Sequence, residues 1–378
     1  MPRSLVIPGI IDVTSACHSA DENFMAEAIA LGATHIGQTG TNPSVGCVIV
    51  RDGAIVGRGV TAKSGRPHAE PQALAEAGDL ARGATAYVTL EPCSHFGKTP
   101  PCVNALIGAG VARVAIAVTD PDLRVSGNGI RMLREAGIAV ETGLMEQAAR
   151  RGLAAYLTRQ TKGRAHVTLK LAVSKDGMLG RRGEGQIGIT GAQSREAVQH
   201  LRAESDAILI GIGTALADDP ELTCRLQGLE DRSPERLVLD RMLLLPPSSR
   251  LVLTADKVPV MAVISSDHAL RDLAWLARSD ALRQGGVEIV EAGTLVDLLR
   301  LLASRGFSSL MVEGGARVAD AFLKAGLVDR IWLFEGAVTV GGSGVVSPLT
   351  PGHVPDGFAL VSTETLGEDR LEIFERTE

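Results

Sequence analysis

Aromatic side chains are scarce: Phe, Tyr and Trp together make up 3% of the 378 residues. That argues against the stacked aromatic platform on which single-stranded nucleic acid is held. A basic excess is missing as well. The net charge is −6, so there is no electrostatic footprint for duplex DNA or RNA. Long hydrophobic runs are also missing. Stretches such as Val258–Ile264 fall far short of the ~20 residues a membrane-spanning helix needs. No secretory signal is legible, because Leu5–Val13 is broken by Pro8, Gly9 and Asp12 and only Arg3 precedes it. A cytoplasmic location is therefore expected. Cysteines number five, too few and odd for a disulfide framework in a long chain. What is present, 45% hydrophobic and 22% charged residues, is an ordinary globular composition. At a typical ~150 residues per domain, the length predicts about two domains.

Residues 1–20 show no clean period and read as a loose extension. Asp21 then offers a helix N-cap, with Phe24, Ala28, Ile29 and Leu31 following at helical spacing. Val45–Val50 and Ala54–Val60 are strand-like and flank Asp52-Gly53, a hairpin signal. Beyond them, His68–Ala77 reads as a helix with Pro71 in its first turn, followed by the strand Ala84–Leu90. The spacing then predicts a helix over Pro101–Ala109 stopped by Gly110, a strand Arg113–Thr119, a helix Ile130–Ala136 and a strand Ile138–Glu141. Ala148–Gly163 is basic and polar, with little apolar signal beyond Leu153, Tyr156 and Leu157, and reads as the join. A second α/β series follows. Its strand candidates are His166–Ser174, Ala207–Ile210, Leu237–Asp240, Val260–Ser265, Val287–Val290, Ser309–Val312 and Ile331–Phe334. Its helix candidates include Ala192–Ala203, Leu270–Gln284 and Val318–Ala325. The expected organisation is two α/β domains, at about 21–150 and 164–378.

One constellation in the first half carries chemistry. His68-Ala69-Glu70 opens a helix, and Pro92-Cys93 and Cys102 come downstream. One imidazole and two thiolates form a three-ligand zinc set with an open fourth position, the arrangement of catalytic zinc. Water in that position has its pKa lowered to ~7, which makes hydroxide available at neutral pH. Glu70, two residues from His68, is poorly placed as a ligand but can take the water proton and deliver it to a departing amine. His-x-Glu with Pro-Cys and a later Cys is the signature of zinc deaminases of amino-heterocycles. Cys102 sits at a helix start, whose positive end favours its thiolate. Cys17, Cys47 and Cys224 lack such context, and Cys47 reads as core.

Eight residues separate Cys93 from Cys102, unlike the two-residue gap of common cytidine deaminases. Here the chain resembles the bifunctional deaminase/reductase family of riboflavin biosynthesis. Thr41–Cys47, Gly65–Glu70 and Thr85–Cys102 carry the resemblance, which runs from about Asn23 to the C-terminus. It implies a cytidine-deaminase-like α/β/α domain followed by a dihydrofolate-reductase-like α/β domain. It implies zinc deamination of a diamino-ribosylamino-pyrimidinone 5′-phosphate, then NADPH reduction of the ribosyl chain to ribityl. Zinc ligation carries over to His68, Cys93 and Cys102, proton transfer to Glu70, and deaminase substrate contacts to Asn42 and Lys98. An amide suits a heterocycle edge and an ammonium suits a phosphate.

The second half has no Gly-x-Gly-x-x-Gly turn, so the common dinucleotide fold is not indicated. It resembles the family's reductase domain through Thr168–Ala172, Ser174–Gly177, Arg202, Ser205–Ile208, Gly211–Thr214, Asp218–Arg225, Asp240 and Val312–Ala316. The resemblance implies substrate contacts at Arg202, Leu222, Arg225 and Glu313, and cofactor contacts at Ala172, Thr214, Asp218, Gly315, Ala316 and Arg317. Two arginines suit a phosphate, and glycines let backbone amides approach one. The chain departs from the family in several places. Thr61 stands where His is usual, Leu153 for Asn, and Gly188 for a Trp beside the nicotinamide. Gln186 lies near a usual Ser, and Ala337-Val338 replace Pro-Lys.

The expected partner is a small phosphorylated pyrimidine, without nucleic acid or membrane; a homo-oligomer is left open. Three rival readings are separable. A deaminase with a catalytically silent second domain would bind no NADPH. A nucleoside or tRNA deaminase calls for the two-residue cysteine gap and, for tRNA, a basic face. A zinc-stapled, non-enzymatic binding module has no use for Glu70 and usually has four protein ligands.

Overall fold

The computed structural model describes residues 19–97, 99–181, 183, 185, 187–267 and 272–377. The chain forms two compact units that divide between Gly163 and Arg164.

The first unit runs α1 (Ala20–Ala33), β1 (Gly46–Arg51), β2 (Ala54–Val60), α2 (Ala69–Ala77), β3 (Thr85–Leu90), α3 (Cys102–Ala109), β4 (Arg113–Val118), α4 (Asn128–Glu135), β5 (Ala139–Thr142) and α5 (Glu146–Lys162). Its sheet has the order β2-β1-β3-β4-β5. β1 is antiparallel to both neighbours, and β3, β4 and β5 are parallel. Asp52 and Gly53 take φ of 51° and 77°, the left-handed pair that a tight hairpin demands. Gly57 and Gly59 on β2 let α2 lie directly on the sheet. A Cβ there would fall 2.1 Å from the Ala73 carbonyl oxygen and 2.0 Å from that of Ala69. That close approach seats the helix whose N-terminus carries His68 and Glu70.

Two expectations are corrected here. Asp21 does not cap α1. Ser19 does, in a reciprocal capping box with Glu22 that satisfies two backbone amides. Asp21 instead pairs with Arg113 at 2.7 Å, drawn by a guanidinium on β4. Nor is Ala148–Gly163 a connecting segment, because nearly all of it lies in α5. Ala149, Leu153, Tyr156 and Leu157 fall at i, i+4, i+7 and i+8 and are buried in the first unit's core. The basic residues that make the stretch look like a linker occupy the other faces. Gly163 ends the helix with φ of 62°.

The second unit runs β6 (His166–Val173), β7 (Met178–Arg181), α6 (Ala192–Glu204), β8 (Ala207–Gly211), α7 (Ile212–Asp218), β9 (Glu235–Leu239), α8 (Arg250–Leu253), β10 (Val260–Ile264), α9 (Leu273–Gln284), β11 (Val287–Glu291), α10 (Leu295–Ser304), β12 (Ser309–Glu313), α11 (Ala316–Lys324), β13 (Arg330–Glu335), β14 (Gly344–Val346), β15 (Phe358–Leu366) and β16 (Asp369–Arg376). Nine strands form one sheet, ordered β11-β10-β9-β8-β12-β6-β13-β16-β15, while β7 and β14 pair separately. Pairing is parallel from β11 to β13 and antiparallel through β16 and β15. Alternate residues serve two cores. Leu209, Ile331 and Leu333 join one, and Ile208, Ile210, Trp332 and Phe334 the other. Burial on both faces explains the continuous apolar runs of the central strands. The sequence reading does not anticipate β15 and β16. β15 is an edge strand of Ser, Thr and Glu with few buried residues, so its pattern is weak. No helix among the described residues is long and apolar enough to cross a membrane.

Candidate functional site

His68 is the N-cap residue of α2, with no capping hydrogen bond from its side chain, so its ring is available to the site. Its Nδ1 lies 3.7 Å from Cys93 Sγ and 3.3 Å from Cys102 Sγ, while Nε2 is buried and meets no hydrogen-bond partner. Cys93 follows β3 on a short loop, and Cys102 is the first residue of α3. The loop is held by Glu91. Its buried carboxylate accepts the amides of Gly127 and Ile130 at the start of α4 and that of Asp120. Gly129 permits this approach, since a Cβ there would fall 2.4 Å from the Pro92 carbonyl oxygen.

The three donor atoms lie within 4.8 Å of one another. The Cys102 thiol facing Cys93 holds that thiol down to about 4, with His68 and the Cys102 backbone amide assisting. Cys93 in turn pushes Cys102 up, and burial adds to this. This refines the expectation for Cys102. The amide at the helix start donates to Cys93 Sγ at 3.2 Å, so the helix end favours the Cys93 thiolate. Two adjacent sulfurs and one imidazole nitrogen form a soft donor set that a zinc ion fits, because the cation permits both thiolates at once.

Glu70 lies in the first turn of α2 and is buried. Burial pushes its carboxyl up, and the nearby Cys93 thiolate adds to this. Glu70, His68 and Cys93 line a cleft of about 450 Å³ together with Asn42 and Thr61. Gly65, at φ of 87°, lets the backbone pass against the Asn42 amide; a Cβ there would fall 2.2 Å from Asn42 Nδ2. Thr61 is buried at the cleft wall. Its hydroxyl accepts the Val45 amide at 3.0 Å, which ties it to the start of β1. Lys98, Gln186 and Cys17 lie outside the described residues.

In the second unit, Glu313 ends β12 and receives two cations. Arg202 Nη2 approaches one oxygen at 2.8 Å and Lys170 Nζ the other at 3.3 Å. Burial alone would raise this carboxyl, but the two cations overcome it and hold Glu313 at about 2. Arg202 Nη1 also donates to the Thr223 carbonyl, so its fork is oriented internally. Arg225 is more exposed and pairs weakly with Glu221. Leu222 is buried with φ of 57°, a strained value for a leucine. Thr214 Oγ1 accepts the Gly315 amide at 3.1 Å. Gly314 has φ of 116°, and Gly315 caps α11, whose first turn holds Ala316 and the exposed Arg317. Backbone amides at this bare helix end fit a dinucleotide phosphate. Ala172 lies on β6 and Asp218 at the end of α7, its carboxyl raised by burial and by Glu313. Gly188 is exposed, and a Cβ there would meet nothing within 4 Å.

The sequence reading passes over Asp120, Tyr156 and Arg159, all on the cleft of the first unit. Asp120-Pro121-Asp122 just after a strand is the signal that could have pointed to the first. Tyr156 and Arg159 lie in Ala148–Gly163, whose basic, polar composition reads as a join.

Two family models match: the RibD C-terminal domain over residues 165–371, and the cytidine and deoxycytidylate deaminase zinc-binding region over residues 18–118. The riboflavin biosynthesis protein RibD of Aquifex aeolicus is 38% identical over 360 residues, covering 94% of this chain and 98% of the relative. That of Escherichia coli is 40% identical over 334 residues, covering 83% and 87%. Among solved structures, RibD of Acinetobacter baumannii superposes with a TM-score of 0.82 at 35% identity, covering 95% of this chain and 99% of that one. A diaminohydroxyphosphoribosylaminopyrimidine deaminase/5-amino-6-(5-phosphoribosylamino)uracil reductase from Thermotoga maritima gives 0.81 at 34%, covering 94% and 99%.

Proposed function

The chain belongs to the RibD family and is a bifunctional deaminase and reductase of riboflavin biosynthesis, and from that premise we propose how its own residues divide the work. The deaminase half is a zinc-binding region and the reductase half uses NADPH. The substrate we assign is 2,5-diamino-6-ribosylamino-4(3H)-pyrimidinone 5′-phosphate.

In the first unit, His68, Cys93 and Cys102 would hold the zinc, through the three donor atoms that lie within 4.8 Å of one another. When bound, zinc supplies Lewis-acid activation of water. The Glu70 carboxylate takes a proton from the attacking water and returns it to the departing amine. A C–O bond forms at the amine-bearing ring carbon, the C–N bond breaks, and ammonia leaves. Burial suits Glu70 to this, since a carboxylate poorly solvated in its charged form accepts a proton from water more readily than an exposed one. Asn42 offers its amide to a polar edge of the heterocycle. We assign the phosphate contact in this unit to Lys98.

In the second unit, NADPH supplies the reducing equivalents for opening the ribosyl ring to ribityl. The backbone amides at Gly315 and Ala316, with Thr214, Asp218, Ala172 and Arg317, are assigned to the cofactor. Arg202, Leu222, Arg225 and Glu313 are assigned to the substrate. In this arrangement Glu313 orients the Arg202 fork.

The observation that carries the deaminase assignment is the convergence of one nitrogen and two sulfurs, with His68, Cys93 and the buried Glu70 lining one cleft. The test supplies the diamino substrate with and without NADPH and identifies products by mass. Glu70→Gln is nearly isosteric and cannot move protons. It should keep its zinc and lose deamination at least ~10²-fold, while still reducing deaminated substrate supplied to it. Near-normal ammonia release by this variant would remove Glu70 from the mechanism.

A further inference from the structure

Helix α5 forms one wall of the cleft lined by His68, Glu70 and Cys93, through Tyr156, Arg159 and Gln160. The Tyr156 hydroxyl lies 2.9 Å and 3.1 Å from the two carboxylate oxygens of Asp120, which lines the same cleft. Both side chains are buried. Asp120 stands just beyond β4, its backbone amide donating to Glu91 and its Oδ1 accepting the Asp122 amide at 2.9 Å. It is thus joined through Glu91 to the loop that carries Cys93.

A carboxylate offers about four acceptor positions. Tyr156 and the Asp122 amide occupy part of that capacity. We propose that Tyr156 is a positioning residue of the deaminase site. Its hydroxyl fixes the orientation of the Asp120 carboxylate so that the remaining acceptor positions face the amino and hydroxyl donors of the bound pyrimidine. The inference rests on the deaminase reading above.

A core-packing role for the ring is separable from this one. The Tyr156 ring belongs to the first unit's core, and phenylalanine would fill the same space. A core that needed only bulk would not bury a hydroxyl against a carboxylate, because a buried polar pair is no more stable than apolar residues of the same shape. The hydroxyl has a use where the carboxylate must keep a direction.

The test uses the full chain as Tyr156→Phe, Asp120→Asn and the double variant. Zinc content, reduction of supplied deaminated substrate, and kcat and KM for deamination are measured for each. Tyr156→Phe should keep zinc and reductase turnover and raise the deaminase KM roughly tenfold, the scale of one hydrogen bond to a charged group, with a smaller change in kcat. In the Asp120→Asn background, Tyr156→Phe should add little further loss. An unchanged KM in Tyr156→Phe, an equal rise in both backgrounds, or a joint loss of zinc and kcat would each overturn the proposal. If Asp120→Asn does not fold, the split between KM and kcat in Tyr156→Phe decides alone. A parent chain that binds zinc yet releases no ammonia overturns the deaminase reading, and the inference with it.

Discussion

Glu70 and Glu313 are both withdrawn from water, and their surroundings drive them in opposite directions. Glu70 has a thiolate neighbour, and burial pushes its carboxyl up. Glu313 lies between Arg202 and Lys170, which hold it at about 2 despite burial. The same side chain is therefore pushed toward its neutral form in one unit, as the proton transfer proposed for Glu70 requires, and toward a fixed charge in the other. The contrast extends beyond these two residues. Arg164 and Asp329 in the second unit follow the pattern of Glu313, a buried carboxylate held charged by a cation at 2.6 Å.

The sharpest break of this contrast is at the metal. Cys93→Ala should take zinc content from about one ion per chain to none, by metal analysis, and abolish deamination. Reduction of supplied deaminated substrate should continue, because the second unit holds no part of that ligand set. Retained zinc would show that the ligand set is wrong.

Next comes the paired carboxylate of the second unit. Burial would raise Asp329, but Arg164, at 2.6 Å, and the charge of His166 hold it at about 2. Asp329→Asn leaves a buried guanidinium unpaired, and should cost ~3–5 kcal/mol at neutral pH. A depressed carboxylate pKa stabilises the fold above its unfolded value of ~3.9. That contribution is lost as pH falls toward 2, so the gap between parent and variant should narrow across that range. Trp275 and Trp332, the chain's two tryptophans, both lie in the second unit, and denaturant unfolding followed by their fluorescence reports on it alone. A pH-independent gap would contradict the pairing.

A smaller effect is expected at the reductase site. Arg202→Ala leaves Glu313 with Lys170 as its remaining cation. Substrate affinity should fall roughly tenfold to a hundredfold, the range for charged hydrogen bonds, with NADPH affinity spared. Calorimetric titration separates the two ligands. Equal weakening of both would place Arg202 with the cofactor instead.

The smallest effect tests an unfilled space. Gly188→Trp puts an aromatic surface where a Cβ meets nothing within 4 Å. An aromatic contact worth ~0.5–1.5 kcal/mol beyond area burial converts to roughly threefold to tenfold tighter NADPH binding. Unchanged affinity would mean that the ring does not reach the nicotinamide.

How much of this was legible depended on the range of the interaction. His68, Glu70, Cys93 and Cys102 could be read directly, because deamination needs fixed residue types and each type has few substitutes. The Asp52-Gly53 turn and the Gly110 stop were equally plain, since they depend on local backbone preferences. Helix α5 was not, because its polar faces dominate the composition and its four buried residues count only when a core is there to receive them. For the same reason Tyr156 looked like residual apolar signal in a join. Its partner Asp120 is 36 residues away, and no local pattern links them. Sequence alone pointed to the proposed chemistry, as a set of donor residues and a nearby carboxylate. Only the tertiary structure decided which sulfur the helix amide favours, which carboxylates stay charged and what walls the cleft. Those outcomes depend on burial and on distances between residues remote in the chain, and the order of residues does not state them.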